Sequence, residues 1–120
     1  MNSLSHRIKQ LESTFPLRTV STDGGCISYR ENMASNMGVR RNSITVVALH
    51  GIGSASASWL DVALCLSDIR FIAWDAPGYG KSTGLQAKQP LATEYAIALD
   101  GFLNAMQIQQ CILVGHSLGA

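Results

Sequence analysis

A serine in the last part of the sequence lies between two glycines, in the order Gly115-His116-Ser117-Leu118-Gly119. It follows the apolar run Cys111–Val114, which has the composition of a buried strand. The G-x-S-x-G pattern after a strand is typical of a very tight strand-to-helix turn, in which the glycines avoid collisions between chain segments. Such a turn lifts the serine hydroxyl clear of the sheet and aims helix N-terminal amides at developing negative charge. The pattern predicts a serine nucleophile; the alternative is an ordinary turn with a surface serine.

Two other apolar runs also end in segments that carry polar residues and glycines. Ile44–Leu49 is followed by His50-Gly51-Ile52-Gly53, and Arg70–Trp74 is followed by the loop Asp75–Ser82. In an open parallel sheet the working residues lie just beyond the carboxyl ends of the strands. We therefore expect these two segments to meet the serine turn at one edge of the sheet.

The segment Gly80-Lys81-Ser82 has a competing interpretation as the end of a phosphate-binding P-loop. In that motif the first glycine would fall at Asp75, and a helix would follow directly. Here Thr83 and Gly84 continue the loop instead. Nucleotide binding is therefore not favoured.

Three histidines are candidates for the base that a serine nucleophile requires. His116 precedes the serine and is expected to project away from it. His50 is a candidate for the catalytic base, and the family resemblance given below implies instead that it supports the loop that contains it. His6 is expected to lie on a helix surface.

The sequence predicts a short helix and a hairpin before the alternating part of the fold. Apolar residues at helical spacing mark an amphipathic helix over residues 3–15, along Leu4, Ile8, Leu11 and Phe15. Two β-prone runs around Asp23-Gly24-Gly25 predict a hairpin over residues 18–30, and a loop follows over residues 31–43.

The three apolar strands are separated by two helical patterns. The first comprises Trp59, Val62, Ala63 and Leu66, and the second comprises Tyr95, Leu99, Phe102, Leu103 and Met106. A hairpin followed by β-α-β-α-β predicts an α/β fold with a mostly parallel sheet.

With its three loop motifs in this order, the sequence resembles the α/β-hydrolase superfamily, over most of residues 17–120. The landmarks are H-G-I-G after the third strand, D-A-P-G-Y-G-K-S after the fourth and G-H-S-L-G-A after the fifth. They are most similar to the esterase, lactonase and carbon–carbon hydrolase branch. The resemblance implies that residues 17–120 are the N-terminal half of the α/β-hydrolase fold, ending at the nucleophile elbow. Residues 1–16, which contain the predicted amphipathic helix, precede this part as a separate N-terminal segment.

The resemblance also implies roles for individual residues. Ser117 would be the nucleophile, and its presence argues against the dehalogenases and epoxide hydrolases of the superfamily, which use Asp. The oxyanion hole would use the backbone amides of Leu118 and Ile52, with Gly53 as the alternative to Ile52. Residues that would shape the site are His50, Gly51, Gly53, Gly115, His116 and Gly119. No cofactor or metal is implied.

In this superfamily the chain order is Ser, then Asp or Glu, then His. Neither partner follows Ser117 within these residues. We therefore expect residues 1–120 alone to be a truncated, inactive hydrolase portion. The strand that leads to Ser117 would have a bare edge, which invites self-association. The alternative function is a non-catalytic small-molecule-binding or interaction protein on the same fold.

Composition limits the partners of the chain. The 120 residues are 47% hydrophobic and 14% charged, with a net charge of +1. This balance excludes disorder and provides no basic patch for nucleic acid or an anionic membrane. The low charge near the motifs favours a small-molecule substrate with an uncharged or apolar acyl group.

Cysteine usage and hydropathy predict a cytoplasmic protein. The three cysteines form no CxxC pair, and Cys65 and Cys111 lie in apolar runs, where we expect them to be buried. This usage fits a reducing compartment. No apolar run approaches the roughly 18 residues of a membrane span, and residues 1–12 contain no signal-peptide core.

Overall fold

A computed structural model describes residues 3–32, 44–86 and 91–117. The elements follow the predicted order: α1 (Ser3–Thr14), β1 (Leu17–Thr22), β2 (Gly25–Glu31), β3 (Thr45–Leu49), a 3-10 helix (Ser56–Trp59), α2 (Leu60–Cys65), β4 (Arg70–Trp74), α3 (Ala92–Ala105) and β5 (Ile112–Gly115). Glu31, expected in a loop, belongs to β2. Residues 33–43 of that predicted loop lie outside the described residues.

The five strands form one mixed sheet in the order β1-β2-β4-β3-β5. Thr22 pairs with Gly25 across the two-residue turn Asp23-Gly24, which makes β1 and β2 the predicted antiparallel hairpin. β2 is antiparallel to β4, whereas β3 is parallel to both β4 and β5. The carboxyl ends of β3, β4 and β5 therefore lie at the same edge of the sheet. The predicted α/β fold class is confirmed.

Apolar side chains cover both faces of β3 and β4. In β3, Val47 points to one face and joins a cluster with Phe102 of α3. Its neighbours Val46 and Ala48 point to the other face, where the cluster includes Phe15, just after α1. A strand buried on both faces has a continuously apolar sequence, as predicted for residues 44–49. These two strands form the support for the loops that follow them.

The predicted apolar face of α3 is confirmed. Phe102 is fully buried, and its ring lies 5.6 Å from the Tyr29 ring and 5.9 Å from the Trp74 ring. The other four predicted residues pack against the same cluster: Tyr95, Leu99, Leu103 and Met106.

The apolar faces predicted for α1 and α2 are partly wrong. In α1, Leu11 packs against the core, but Leu4 and Ile8 are exposed. In α2, Leu60 is buried where Val62 was expected. Trp59, Ala63 and Leu66 pack against the core as predicted. At 3.6 residues per turn, Leu60 lies about 60° around the helix from Ala63 and Val62 about 100°, so Val62 falls outside the buried face.

The prediction that Cys111–Val114 is a buried strand is wrong for this chain. Among the described residues, β5 is hydrogen-bonded to a neighbouring strand on one side only, and Ile112, Leu113 and Val114 retain 53%, 50% and 38% of their accessible surface. Cys111 is half-buried, whereas Cys65 is exposed at the end of α2. Burial requires a covering layer on each face, and no described helix covers β5 as α3 covers the middle strands. The helices within the described ranges are all too short or too polar to cross a lipid bilayer.

Candidate active site

The ends of β3 and β5 place the segments containing His50 and Ser117 side by side. Leu49 is the register partner of Gly115, the last residue of β5. The next amide, of His116, donates a hydrogen bond of 3.1 Å to the Leu49 carbonyl oxygen. The parallel ladder therefore continues one residue beyond the strand and stops directly before Ser117.

Ser117 has the strained backbone that the G-x-S-x-G pattern predicts. Its φ is 58°, in the left-handed region, and Gln107 is the only other non-glycine residue with positive φ in the described part of the chain. This conformation is unfavourable for a residue with a side chain and is retained where the surrounding structure imposes it. Leu118 and Gly119 lie outside the described residues, so the expected oxyanion amide of Leu118 stays a prediction.

Gly51 is the point at which the loop after β3 contacts the Ser117 segment. A β-carbon on Gly51 would lie 3.2 Å from the Ser117 Cβ and 3.0 Å from the His116 carbonyl oxygen. Both distances are shorter than ordinary van der Waals contacts. The close approach explains why glycine is needed here, because a side chain would push the two segments apart.

Residues 51–54 form a tight turn beside Ser117. The Ser54 amide donates a hydrogen bond of 3.2 Å to the Gly51 carbonyl oxygen, and Gly53 has a φ of 75°. Positive φ at the third position fits a type II turn, in which glycine is favoured. Across the described residues, the amides of Ile52 and Gly53 donate no hydrogen bond. Neither amide therefore has an acceptor within the part of the chain that the structure describes.

Both ring nitrogens of His50 are engaged in hydrogen bonds. The Ala76 amide donates to Nε2 at 3.0 Å, so Nε2 is the acceptor of a neutral ring. The proton is then on Nδ1, which donates to the Gly51 carbonyl oxygen at 2.9 Å. His50 is buried, and its ring lies 4.7 Å from the Tyr79 ring. This geometry leaves no nitrogen of His50 to accept a proton from Ser117.

The other two histidines, His116 and His6, are both exposed. His116 is exposed, and its Nδ1 would be 3.4 Å from a β-carbon on Gly51. His6 is exposed on α1. Among the described residues, no histidine or carboxylate is hydrogen-bonded to the Ser117 hydroxyl.

Asp75, at the end of β4, is the centre of a buried polar network. Its Oδ2 accepts a hydrogen bond of 2.6 Å from the Ser28 hydroxyl, and its Oδ1 accepts one of 2.8 Å from the Ser56 amide. The Ser82 hydroxyl donates to the Asp75 carbonyl oxygen at 2.6 Å and accepts from the Ser28 amide at 2.9 Å. Burial lowers the pKa of Arg30, and the negative charge of Asp75 partly opposes that shift.

Contacts within this network explain the residues of the Gly80-Lys81-Ser82 segment, so no phosphate-binding role is needed to account for them. The Ser82 hydroxyl is already used inside the protein, and a β-carbon on Gly80, whose φ is 52°, would lie 2.5 Å from Asp75 Oδ2. The glycine thus allows the loop to pack on the carboxylate. Sequence reasoning missed Ser28 and Ser56 as partners of Asp75. The available signal was Ser28 itself, because a hydroxyl between Ile27 and Tyr29 needs a partner when it is buried.

No metal site is formed by the part of the chain that the structure describes, since no three His, Cys, Asp or Glu side chains are suitably grouped there. The described residues combine a tight serine turn, two amides that have no acceptor among those residues, and a buried polar support. Such an arrangement suits nucleophilic attack by Ser117 on a carbonyl group and stabilisation of the resulting oxyanion.

Comparisons with known proteins agree with this fold. The uncharacterized hydrolase YugF of Bacillus subtilis (strain 168) is 31% identical over 110 residues, which are 91% of this chain and 38% of that protein. The 2-hydroxy-6-oxononadienedioate/2-hydroxy-6-oxononatrienedioate hydrolase 2 of Pseudomonas putida is 30% identical over 81 residues, 63% of this chain and 28% of that protein. The chain thus spans about 28–38% of the length of these two relatives.

Two solved structures have the same fold. A bacterial membrane phospholipase A, described as a virulence factor, matches with a TM-score of 0.79 and 25% identity, over 97% of this chain and 36% of that one. The epoxide hydrolase VrEH1 of Vigna radiata matches with a TM-score of 0.72 and 23% identity, over 88% of this chain and 33% of that one. The sequence profile of the Alpha/beta hydrolase family matches residues 46–120. The chain therefore belongs to the alpha/beta hydrolase family, of which it contains the N-terminal portion of the fold.

Proposed function

We propose that Ser117 is the nucleophile of a serine hydrolase that cleaves an ester, a lactone or a related bond. The observation that carries this proposal is the left-handed backbone of Ser117, with a φ of 58°, in contact with the loop containing Gly51. Strain at a polar residue is retained where the surrounding fold compensates for it, and it clusters at functional sites.

In this proposal a base removes the proton from the Ser117 hydroxyl while its oxygen attacks the substrate carbonyl carbon. The carbonyl oxygen becomes an oxyanion, which the amide of Ile52, or of Gly53, and the amide of Leu118 stabilise. A single donor of this kind contributes about 3 kcal/mol to transition-state stabilisation. The amides of Ile52 and Gly53 donate to no acceptor among the described residues, which supports the assignment of one of them. His50, Gly51, Gly115, His116 and Gly119 shape the turns around the nucleophile.

No described histidine is placed to act as the base for Ser117. His50 has both nitrogens in hydrogen bonds, and neither His6 nor His116 is hydrogen-bonded to Ser117 in the described residues. We therefore propose that residues 1–120 alone do not turn over substrate. A complete site would use an Asp or Glu and a His from outside these residues.

The substrate class that we propose is a small molecule with an uncharged or apolar acyl group. Ile52 is 71% exposed beside the serine turn, so it would present an apolar surface to such a group. The Pseudomonas putida relative is named for a dioate substrate, which differs in carrying charge. Cytoplasmic location and the absence of a cofactor remain part of the proposal.

Esterase assays and active-site labelling test the proposal. p-Nitrophenyl butyrate hydrolysis and labelling by a fluorophosphonate are measured for the 120-residue chain and for the whole product of its gene, each as wild type and as Ser117→Ala. We expect no Ser117-dependent turnover by the 120-residue chain, and Ser117-dependent turnover and labelling in a product that supplies the acid and base. Ser67→Ala, an exposed serine after α2, is the matched control.

Two results would contradict the proposal. Turnover by the 120-residue chain that disappears in Ser117→Ala would refute its inactivity. Turnover by the whole product that survives Ser117→Ala would refute the nucleophile.

A second role, association of two copies of the chain, has support from one observation. β5 has an open edge, and its apolar residues Ile112, Leu113 and Val114 are all exposed. An uncharged open strand is a template for pairing with another strand. We propose that a second copy pairs antiparallel with β5, an arrangement that brings no like charges together.

A further inference from the structure

We infer that Asp75 is a positioning residue for the turn that carries the oxyanion donors, and that Ser28 orients it. This inference rests on the proposed function for its catalytic meaning. Its structural content, that Asp75 holds the loop between His50 and Ser56, is independent of that function.

The His50–Ser56 loop is attached at both ends to two consecutive residues after β4. At its start, His50 Nε2 accepts a hydrogen bond of 3.0 Å from the Ala76 amide. At its end, the Ser56 amide donates a hydrogen bond of 2.8 Å to Asp75 Oδ1. Because Asp75 and Ala76 are adjacent in the chain, both ends of the loop are attached to the same short segment after β4. The Ile52-Gly53 turn is the part of the loop that projects between these attachments.

Ser28, on β2, determines the direction of the Asp75 carboxylate. Its hydroxyl donates to Asp75 Oδ2 at 2.6 Å, while its oxygen accepts from the Lys81 amide at 3.0 Å. The Lys81 amide thereby directs the hydroxyl proton toward Asp75. Ser28 and Asp75 are fully or almost fully buried, so water does not compete for these bonds. Hydrogen bonds to a buried carboxylate are stronger than those between neutral groups.

The chemistry of the network requires an acceptor at position 75. Both side-chain oxygens of Asp75 receive hydrogen bonds, one from a hydroxyl and one from an amide. Asparagine would place an NH₂ group opposite one of these donors. The Asp75→Asn substitution therefore removes one charge and at least one favourable contact, although the side chain keeps its size.

Amide hydrogen exchange measured by NMR on the 120-residue chain tests the inference. We expect Asp75→Asn to accelerate exchange of the Ser56 amide by roughly tenfold to a hundredfold, the loss of one hydrogen bond to a charged group. Ser28→Ala keeps the Asp75 acceptor but removes the bond that orients it, so it is expected to accelerate the same exchange by a smaller factor. The amides of α3 are expected to change much less. Rescue is tested with Ser28→Thr, which retains the hydroxyl, and Ser56 protection is expected to return toward wild type.

Asn32→Ala is the matched control, because it removes hydrogen bonds at the opposite end of β4. Its side chain donates to the Leu66 and Ile69 carbonyl oxygens and accepts from the Phe71 amide. We expect this variant to reduce protection globally, with no selective effect at Ser56. Equal acceleration at Ser56 and in α3 for Ser28→Ala, or unchanged exchange at Ser56 for both network variants, would overturn the inference.

A kinetic measurement separates this inference from the proposed function. In a whole gene product with Ser117-dependent turnover, Ser28→Ala is expected to lower kcat about tenfold with little change in KM, as expected when an interaction made in the transition state is weakened. Absence of Ser117-dependent turnover would contradict the proposed hydrolase. The amide hydrogen exchange of Ser56 would still test whether Asp75 holds the His50–Ser56 loop. A Ser28→Ala enzyme with unchanged kcat would overturn the positioning role.

Discussion

A β-carbon on Gly51 would lie 3.2 Å from the Ser117 Cβ, so the loop after β3 and the turn after β5 are in direct contact at these two residues. The need for glycine at this position is steric, because the Gly51 φ is not in the left-handed region. The Ser117 conformation and the path of the neighbouring loop are thus determined together.

Substitution Gly51→Ala is expected to destabilise the protein by about 1–3 kcal/mol, the usual cost of adding a group where there is no space. The added methyl group would contact backbone as well as the Ser117 side chain, and backbone cannot move aside cheaply. Urea unfolding monitored by fluorescence of Trp59 and Trp74 measures the change.

Gly101→Ala is the control for this prediction and is expected to have the opposite sign. Gly101 lies within α3, and a β-carbon there would meet no atom within 4 Å. Alanine in a helix interior is more stable than glycine by about 0.5–1 kcal/mol. Stabilisation by both substitutions would show that Gly51 has space for a side chain and would contradict the close packing against Ser117.

His50→Ala is expected to reduce stability by about 1–3 kcal/mol, because it leaves the buried Ala76 amide without its acceptor. His6→Ala, on the exposed surface of α1, is expected to change the free energy of unfolding by less than about 0.5 kcal/mol. Thermal and urea unfolding of the two variants provide the comparison. Equal stability of His50→Ala and wild type would mean that His50 does not support the loop.

Much of the fold was predictable because it depends on local patterns. The uninterrupted apolar run of β4 gave its bounds, Arg70–Trp74, without error. The face of α3 was also predicted, since an unbroken α-helix keeps its period of 3.6 residues. For α2 the same reasoning placed Trp59, Ala63 and Leu66 correctly but also placed Val62 inside, and it omitted the buried Leu60.

The parts that sequence did not predict depend on residues far apart in the chain. β5 is apolar enough for burial, but burial also requires covering elements, and those are not encoded in its own four residues. The turn at Ser117 was predicted, in contrast, because its glycine pattern is local, and the structure shows the positive φ of Ser117. The bond between Ser28 and Asp75 joins residues 47 positions apart, and no spacing rule connects them.

The ion pair between Arg7 of α1 and Asp61 of α2 predicts a pH effect. Their 2.8 Å hydrogen bond and the Arg7 charge hold the pKa of Asp61 below its usual range. A lowered pKa means that the stabilising contribution is present above the ordinary Asp range and is lost as pH falls through the Asp61 pKa. Both side chains are exposed, so added salt should weaken the effect.

The pH effect is measured by NMR titration of the Asp61 carboxyl carbon. In Arg7→Gln the pKa of Asp61 is expected to rise toward its usual value. Lys9→Gln makes the same charge change on the same helix and is expected to leave Asp61 much less affected. Equal shifts in the two variants would show that net charge, and not the Arg7 contact, lowers the Asp61 pKa.

The open edge of β5 predicts that the 120-residue chain associates as its concentration rises. Leu113 is 50% exposed on this edge strand, and a charge on an edge strand opposes pairing with another chain. Leu113→Lys is therefore expected to remain monomeric at concentrations where the wild type forms dimers, as measured by sedimentation equilibrium. Leu4→Lys is the control, because Leu4 is 67% exposed on α1 and gains the same charge. A wild type that stays monomeric at every concentration, or association that only Leu4→Lys prevents, would contradict pairing through β5.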